Sequence, residues 1–347
     1  MLIYQLFVIS FCQLTLAILF YNAIFVILNI RNSYCIFAVM NGVVTKSTGS
    51  WYQVKSESGK ILKCRLKGRF RTHGIRSTNP VVVGDKVKIE ESDDAFMIVE
   101  LYERKNAIIR KSVNLSKQTH VIASNINQAI LMITINYPVT TTNFIDRFLV
   151  SANAFGVDVI LLFNKTDLYS DNDKKEHIEL TSIYSEIGYR CISVSAIKDD
   201  LSQLKGIMKG KINLISGHSG VGKSTLINSL QAGLNINTKE VSNSYNQGQH
   251  TTTFSELFEL DFGASIIDTP GIKGFGLVEI EKNEIANYFL EFLRLKGECK
   301  FHNCIHLNEP NCKVKDAVTQ NKIAESRYFS YLSMLEEEEE NYRTNGY

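Results

Sequence analysis

The sequence predicts an α/β domain built on a parallel sheet, flanked by a small N-terminal β-barrel and a mostly helical C-terminal region that holds a metal. Three observations lead there. Short period-two runs fill residues 40–112, apolar strands alternate with helical stretches over 113–280, and three cysteines and a histidine crowd into Cys299–Cys312. The chain has 347 residues, 44% hydrophobic and 21% charged, which leaves room for several cores and excludes a disordered chain or a polytopic membrane protein. The other four cysteines stand apart, so a secreted disulfide framework is excluded in favour of a metal site in a reducing compartment.

Residues 1–39 differ from the rest: Arg31 is their one charged residue, and residues 1–30 have none. Such a segment could cross a bilayer as one helix, yet it lacks the basic n-region of a signal peptide. The reading taken is that the functional chain starts at Met40, where polar, alternating sequence begins. A membrane anchor is the alternative, and no function is assigned to the segment.

The barrel rests on Trp51-Tyr-Gln-Val54, Ile61–Leu66, Lys86–Ile89 and Phe96–Val99, punctuated by Gly59, Gly68, Gly74, Gly84 and Asn79-Pro80. Residues 41–112 carry fifteen Lys and Arg against eight Asp and Glu, a larger excess than the net +2 of the whole protein. Seven of these cations lie between Lys60 and Arg76 with no acid among them, a stripe suited to phosphate backbones.

In the central region, Ala129–Thr134, Asp158–Phe163, Cys191–Val194, Ile212–Ile215 and Ala264–Ile267 read as buried strands. Asn143–Phe155, Asp173–Ile187 and Ser224–Leu230 read as helices, so ligands are expected at the strands' carboxyl ends. Gly217-His-Ser-Gly-Val-Gly-Lys-Ser224 fits G-x-x-x-x-G-K-[ST] between a strand and a helix. Backbone N–H groups of Gly217, His218, Ser219, Gly220, Val221 and Gly222 would cradle phosphates. Lys223 would reach the β- and γ-phosphates, Ser224 would ligate Mg²⁺, and Thr225 would follow in the first helical turn. Asp268-Thr-Pro-Gly271 supplies a carboxylate for a Mg²⁺-bound water and a glycine N–H for the γ-phosphate. Thr251, Thr252 and Thr253 of the Gly248–Thr253 loop are all candidates to close the metal shell, with Ser224 and Thr252 taken as the magnesium pair.

Asn164-Lys-Thr-Asp167 ends the Val159–Phe163 strand. The Asp167 carboxylate can accept both the N1–H and the amine of guanine, a pair that adenine lacks. Asn164 can meet the other base edge, the Lys165 stem can pack on the ring, and the Ser195-Ala196 backbone can reach guanine O6. These base-reading segments precede the phosphate loop, whereas an ordinary GTPase has them after it. The chain is therefore a circular permutation, and the sensors at 248 and 268 lead directly into the C-terminal region. There, Cys299, Cys304, His306 and Cys312 give the closed Cys₃His set of structural zinc, with His302 as an alternative ligand.

Together these motifs resemble the RsgA/YjeQ family of ribosome-small-subunit-dependent GTPases, over Met40 to about Leu335. The resemblance implies a permuted P-loop GTPase domain between an N-terminal OB-fold and a C-terminal zinc domain, with GTP, Mg²⁺ and one structural Zn²⁺. It further implies binding to the small ribosomal subunit and its rRNA late in maturation, with hydrolysis stimulated by the subunit. The expected state is a cytoplasmic monomer that uses no DNA. Gln249 stands where the family has arginine. Ile272 follows the D-x-x-G glycine and cannot orient water, so His250 is the candidate to do so, beside Lys223. The expected division is 1–39, 40–112, 113–280 and 281–347. The competing functions are a permuted GTPase of the large subunit, an RNA-binding module with incidental hydrolysis, and a membrane-anchored GTPase.

Overall fold

The computed structural model describes residues 39–68, 80–92, 95–111, 119–231, 255–268 and 280–344. The apolar segment 1–38, the Arg69–Arg76 end of the basic stripe, the Gly248–Thr253 loop with His250, Gly271 and Ile272 lie outside these residues.

Five strands form the barrel: β1 (Val39–Ser47), β2 (Tyr52–Ser56), β3 (Ile61–Leu66), β4 (Lys86–Glu91) and β5 (Phe96–Leu101). They pair in the order β1-β2-β3-β5-β4, and β4 returns to β1. Closure follows from the alternation: Val44, Tyr52, Val54, Leu62, Cys64, Val87, Ile89 and Ile98 point inward, and the residues between them face out. A hairpin of β6 (Ala107–Lys111) and β7 (Thr119–Ser124) spans residue 112. It is fixed to the barrel by Asp85, whose fully buried carboxylate accepts from Arg104 Nε and Nη2 at 2.7 Å each and from Ser124 Oγ at 2.5 Å. A carboxylate so buried needs that many partners.

The second sheet contains β8 (Gln128–Ile133), β9 (Asp158–Phe163), β10 (Arg190–Ser193), β11 (Ile212–Ser216), β12 (Glu256–Glu259) and β13 (Ser265–Asp268). Its order is β10-β9-β8-β11-β13-β12, parallel except for β12, which runs antiparallel to β13. Every residue of β8 is buried because helices cover both faces. On one face lie α1 (Thr142–Ala154) and α2 (Asp171–Ile187), and on the other α3 (Ser202–Met208) and α4 (Lys223–Leu230). Thr141 caps α1, and a Ser170–Asp173 capping box starts α2.

The C-terminal region carries a 3₁₀ turn at Ile285–Tyr288, then α5 (Leu290–Arg294), α6 (Lys313–Thr319) and α7 (Glu325–Thr344). Phe289, Phe292, Val314, Tyr331 and Met334 form its core, and Val150 of α1 joins them, so this region packs on the back of the α/β domain.

The two sheets are continuous through β1 and β12, where Lys46 lies opposite Glu256. Lys46 Nζ reaches Glu256 at 2.7 Å and Lys55 Nζ reaches Glu259 at 2.5 Å. The barrel is thus attached to the β12–β13 hairpin, the segment that runs between the threonine loop and Asp268.

Candidate active site and metal centre

The phosphate loop leaves the carboxyl end of β11 and turns through three positive-φ glycines, Gly217, Gly220 and Gly222, into α4. Two of them admit no side chain. A Cβ on Gly217 would lie 2.7 Å from Met132 O, and one on Gly222 would lie 2.5 Å from Asn164 Nδ2. Lys223 Nζ donates to Gly217 O and His218 O, both at 2.7 Å, which places the cation inside the loop. Ser224 and Thr225 are exposed in the first turn of α4. His218 stacks on Phe144 of α1 with ring centres 3.7 Å apart. Burial, and then the Lys223 charge, lower its pKa, so the imidazole is neutral at neutral pH.

Asn164 joins the motifs. It is buried, and its Nδ2 donates to Val221 O of the phosphate loop at 2.8 Å while its Oδ1 accepts from Ala196 N at 3.1 Å. The ends of β9, β10 and β11 are thereby held by one amide. Lys165 has a left-handed backbone (φ 62°) and donates to Gly220 O at 2.7 Å and Tyr137 O at 2.6 Å. Its stem is stretched between the phosphate loop and the Asn136–Pro138 turn after β8. Asp167 is exposed at the mouth, with Lys198 Nζ 3.3 Å from its Oδ2. The Ser195 hydroxyl, and then Lys198, hold its carboxyl below the usual range, so it is an acceptor at neutral pH. Ser195 N donates to Asp199 Oδ2 at 2.7 Å. The backbone of β13 runs to Asp268, one strand from the phosphate loop.

Sequence reasoning singled out Asn164 and Lys165 for base contacts; their ties to the phosphate loop come from the fold. The Asn136–Pro138 turn and Phe144 were missed, and a proline in a chain that has four was the available signal.

At the other end, the ligand atoms of Cys299, Cys304, His306 and Cys312 all lie within 4.8 Å of one another. His306 Nδ1 is 3.7, 3.5 and 3.3 Å from the sulfurs of Cys299, Cys304 and Cys312. His302 is exposed and outside the cluster. The ligand loop is fixed from behind: Tyr328 OH donates to His306 O at 2.7 Å, Tyr331 OH to Ile305 O at 2.5 Å, and Glu309 accepts from Ile305 N and Leu307 N. Burial and the adjacent sulfurs push the Cys304 thiol up to about 12. A soft dication removes that penalty by binding the thiolates, and Lys313 N already donates to Cys299 Sγ at 3.4 Å. The donor set fits a closed tetrahedral site.

Residues 101–278 match the family described as RsgA GTPase, and residues 41–96 match the RsgA N-terminal domain. The Small ribosomal subunit biogenesis GTPase RsgA of Flavobacterium psychrophilum is 55% identical over 313 residues, 89% of this chain and 96% of the relative. The protein of the same name from Christiangramia forsetii is 54% identical, covering 89% of this chain and 99% of its own. Among solved structures, YjeQ from Thermotoga maritima superposes with a TM-score of 0.71 at 34% identity, over 86% of this chain and 98% of its own. YloQ, a circularly permuted GTPase, gives 0.69 at 29% identity, over 87% and 96%.

Proposed function

The chain belongs to the RsgA GTPase family, and from that premise we propose that it is a cytoplasmic GTPase of small ribosomal subunit biogenesis that grips rRNA in one nucleotide state and releases it in the other. The observation that carries this reading is the convergence of three separated motifs on Asn164, which assembles one guanine-nucleotide site from a permuted chain. In this reading Asp167 reads guanine, the 217–222 backbone and Lys223 neutralise phosphate charge, and Ser224 and Thr252 hold Mg²⁺, which supplies further charge neutralisation. His250 orients the attacking water, since Ile272 cannot. The division at 40, 113 and 281 assigns the barrel, the nucleotide domain and the metal-binding region.

The attachment of β1 to β12 supports the coupling. A change in the loops that flank the β12–β13 hairpin is passed to the barrel through Lys46–Glu256 and Lys55–Glu259. GTP hydrolysis measured with purified subunits should rise by at least tenfold with the small subunit and stay at its basal rate with the large one. Affinity for the small subunit should be higher with a non-hydrolysable GTP analogue than with GDP. Equal stimulation by both subunits, or equal affinity in both states, would overturn the assignment.

The metal is zinc in this reading. Elemental analysis should give about one zinc per chain. Cys304→Ala should lose it and destabilise the 299–335 region by several kcal/mol, seen as protease sensitivity there with GTP binding retained. Protein purified without chelator under reducing conditions and still free of zinc would refute it.

A further inference from the structure

We infer that the outer face of β2 and β3 holds an unpaired RNA nucleotide, its base on the Trp51 indole and its phosphates against Lys63 and Arg65. This deepens the RNA-gripping role proposed above and rests on it. Register places the three residues together. Tyr52 pairs with Cys64 and Gln53 with Lys63, and Tyr52 and Cys64 point into the barrel. Trp51, Lys63 and Arg65 therefore share the outward face. Lys63 Nζ lies 4.3 Å and Arg65 Cζ 4.0 Å from the centre of the indole ring.

Among the described barrel cations, Lys63 and Arg65 are set apart by lying over an aromatic ring without a carboxylate partner. Lys46, Lys55, Lys67 and Arg104 each meet a carboxylate. Among the described residues, Lys63 and Arg65 meet none, and both are exposed. Two cations kept on an aromatic ring, clear of acids, suit a ligand that is both flat and anionic. The Gly49–Ser50 turn, Tyr52, Arg65 and Leu66 complete a cleft of about 200 Å³ beside the ring. That is below the roughly 300–1,000 Å³ of an enclosed small-molecule site. It takes one flat ring and leaves the backbone outside, where the long cationic stems reach. A paired base has its faces covered by neighbours, so the occupant is single-stranded or splayed out. The strand 2–3 face is also where small five-stranded barrels commonly take oligonucleotides.

Trp51 is the only tryptophan of the chain, so its fluorescence reports occupancy directly. The full-length protein is titrated with a single-stranded RNA of about ten nucleotides and with the same sequence as a duplex. Binding is followed in parallel by the anisotropy of a labelled strand. Single strands should quench the indole and the duplex should not. Trp51→Ala should weaken single-strand binding roughly ten- to a hundredfold, whereas Trp51→Phe should retain most of it. The Lys63→Glu, Arg65→Glu double variant should lower the slope of log affinity against log salt by about 1.5. GTP binding and basal hydrolysis should stay unchanged throughout. RNA binding without quenching, equal quenching by duplex, or equal quenching by an acidic peptide would overturn the inference, even if small-subunit stimulation persists. Loss of that stimulation in the wild type would instead overturn the function proposed above.

Discussion

Asp167→Asn is expected to turn the base preference from guanine to xanthine. The carboxylate has two acceptor oxygens for the N1–H and the 2-amine of guanine. The substitution replaces one acceptor by an N–H₂ donor, which then faces a donor. Xanthine carries a carbonyl at that position, so the pairing is restored for xanthosine triphosphate. GTP affinity should fall by about a hundredfold or more, and affinity for xanthosine triphosphate should rise in compensation, because a site built on hydrogen bonds discriminates strongly against a mismatched edge. The fold should be unaffected. Asp167 is exposed, and its neighbours are the Ser195 hydroxyl and Lys198, contacts an amide side chain also tolerates. Competition binding with both nucleotides, together with a melting curve, decides it. Unchanged GTP affinity would remove Asp167 from base recognition, and equal loss of both nucleotides would mark a folding defect.

The legible part of this protein was the part written in short periods. After their first residues, Gln128 and Asp158, β8 and β9 are unbroken apolar runs, so their burial inside the sheet follows from the sequence. The phosphate loop announces itself because glycine is needed where Gly217 and Gly222 approach Met132 and Asn164. By contrast, β12 is Glu-Leu-Phe-Glu with only Leu257 buried, too short and too charged to stand out. Its glutamates make sense only against Lys46 and Lys55, some two hundred residues away in the chain. The β6–β7 hairpin was likewise missed. The choice of His306 over His302 as the fourth ligand was fixed in three dimensions, by which imidazole faces the sulfurs. Arg327 left a trace: it sits in the otherwise apolar stripe Ile323, Tyr328, Tyr331, Leu332, Leu335, and a charge in such a stripe is either at its edge or buried with partners.

Arg327 is buried with partners, and Arg327→Ala should cost about 3–5 kcal/mol. The guanidinium is 1% exposed and its contacts cross the domain boundary: Nη1 donates to Asp146 Oδ1 of α1 at 2.5 Å, and Nε and Nη2 donate to Glu291 of α5 at 2.7 and 3.1 Å.

 Tyr184 OH of α2 donates to the same Asp146 oxygen at 2.7 Å, and the guanidinium lies 4.5 Å from the centre of the Phe289 ring. Burial works against the cation, but Asp146 and Glu291 more than offset it and raise its pKa, so it stays charged. Truncation leaves two carboxylates facing each other in the interior with no cation, and burial already pushes the Asp146 carboxyl up. The contact being broken is the one between α1 and the C-terminal helices, so the loss should appear first as hydrogen exchange in α5 and α7, then as a lower melting temperature. A second variant separates the missing charge from a hole: Asp146→Leu, Glu291→Leu and Arg327→Met together remove the whole network and should recover most of the stability. If Arg327→Ala melts with the wild type, the network does not hold the C-terminal region to the nucleotide domain. If the triple variant is as unstable as the single one, packing and not charge is what Arg327 supplies. Recovery of stability in the triple variant without recovery of small-subunit stimulation would show that the ionic contact sets how the two domains are oriented as well as whether they stay together.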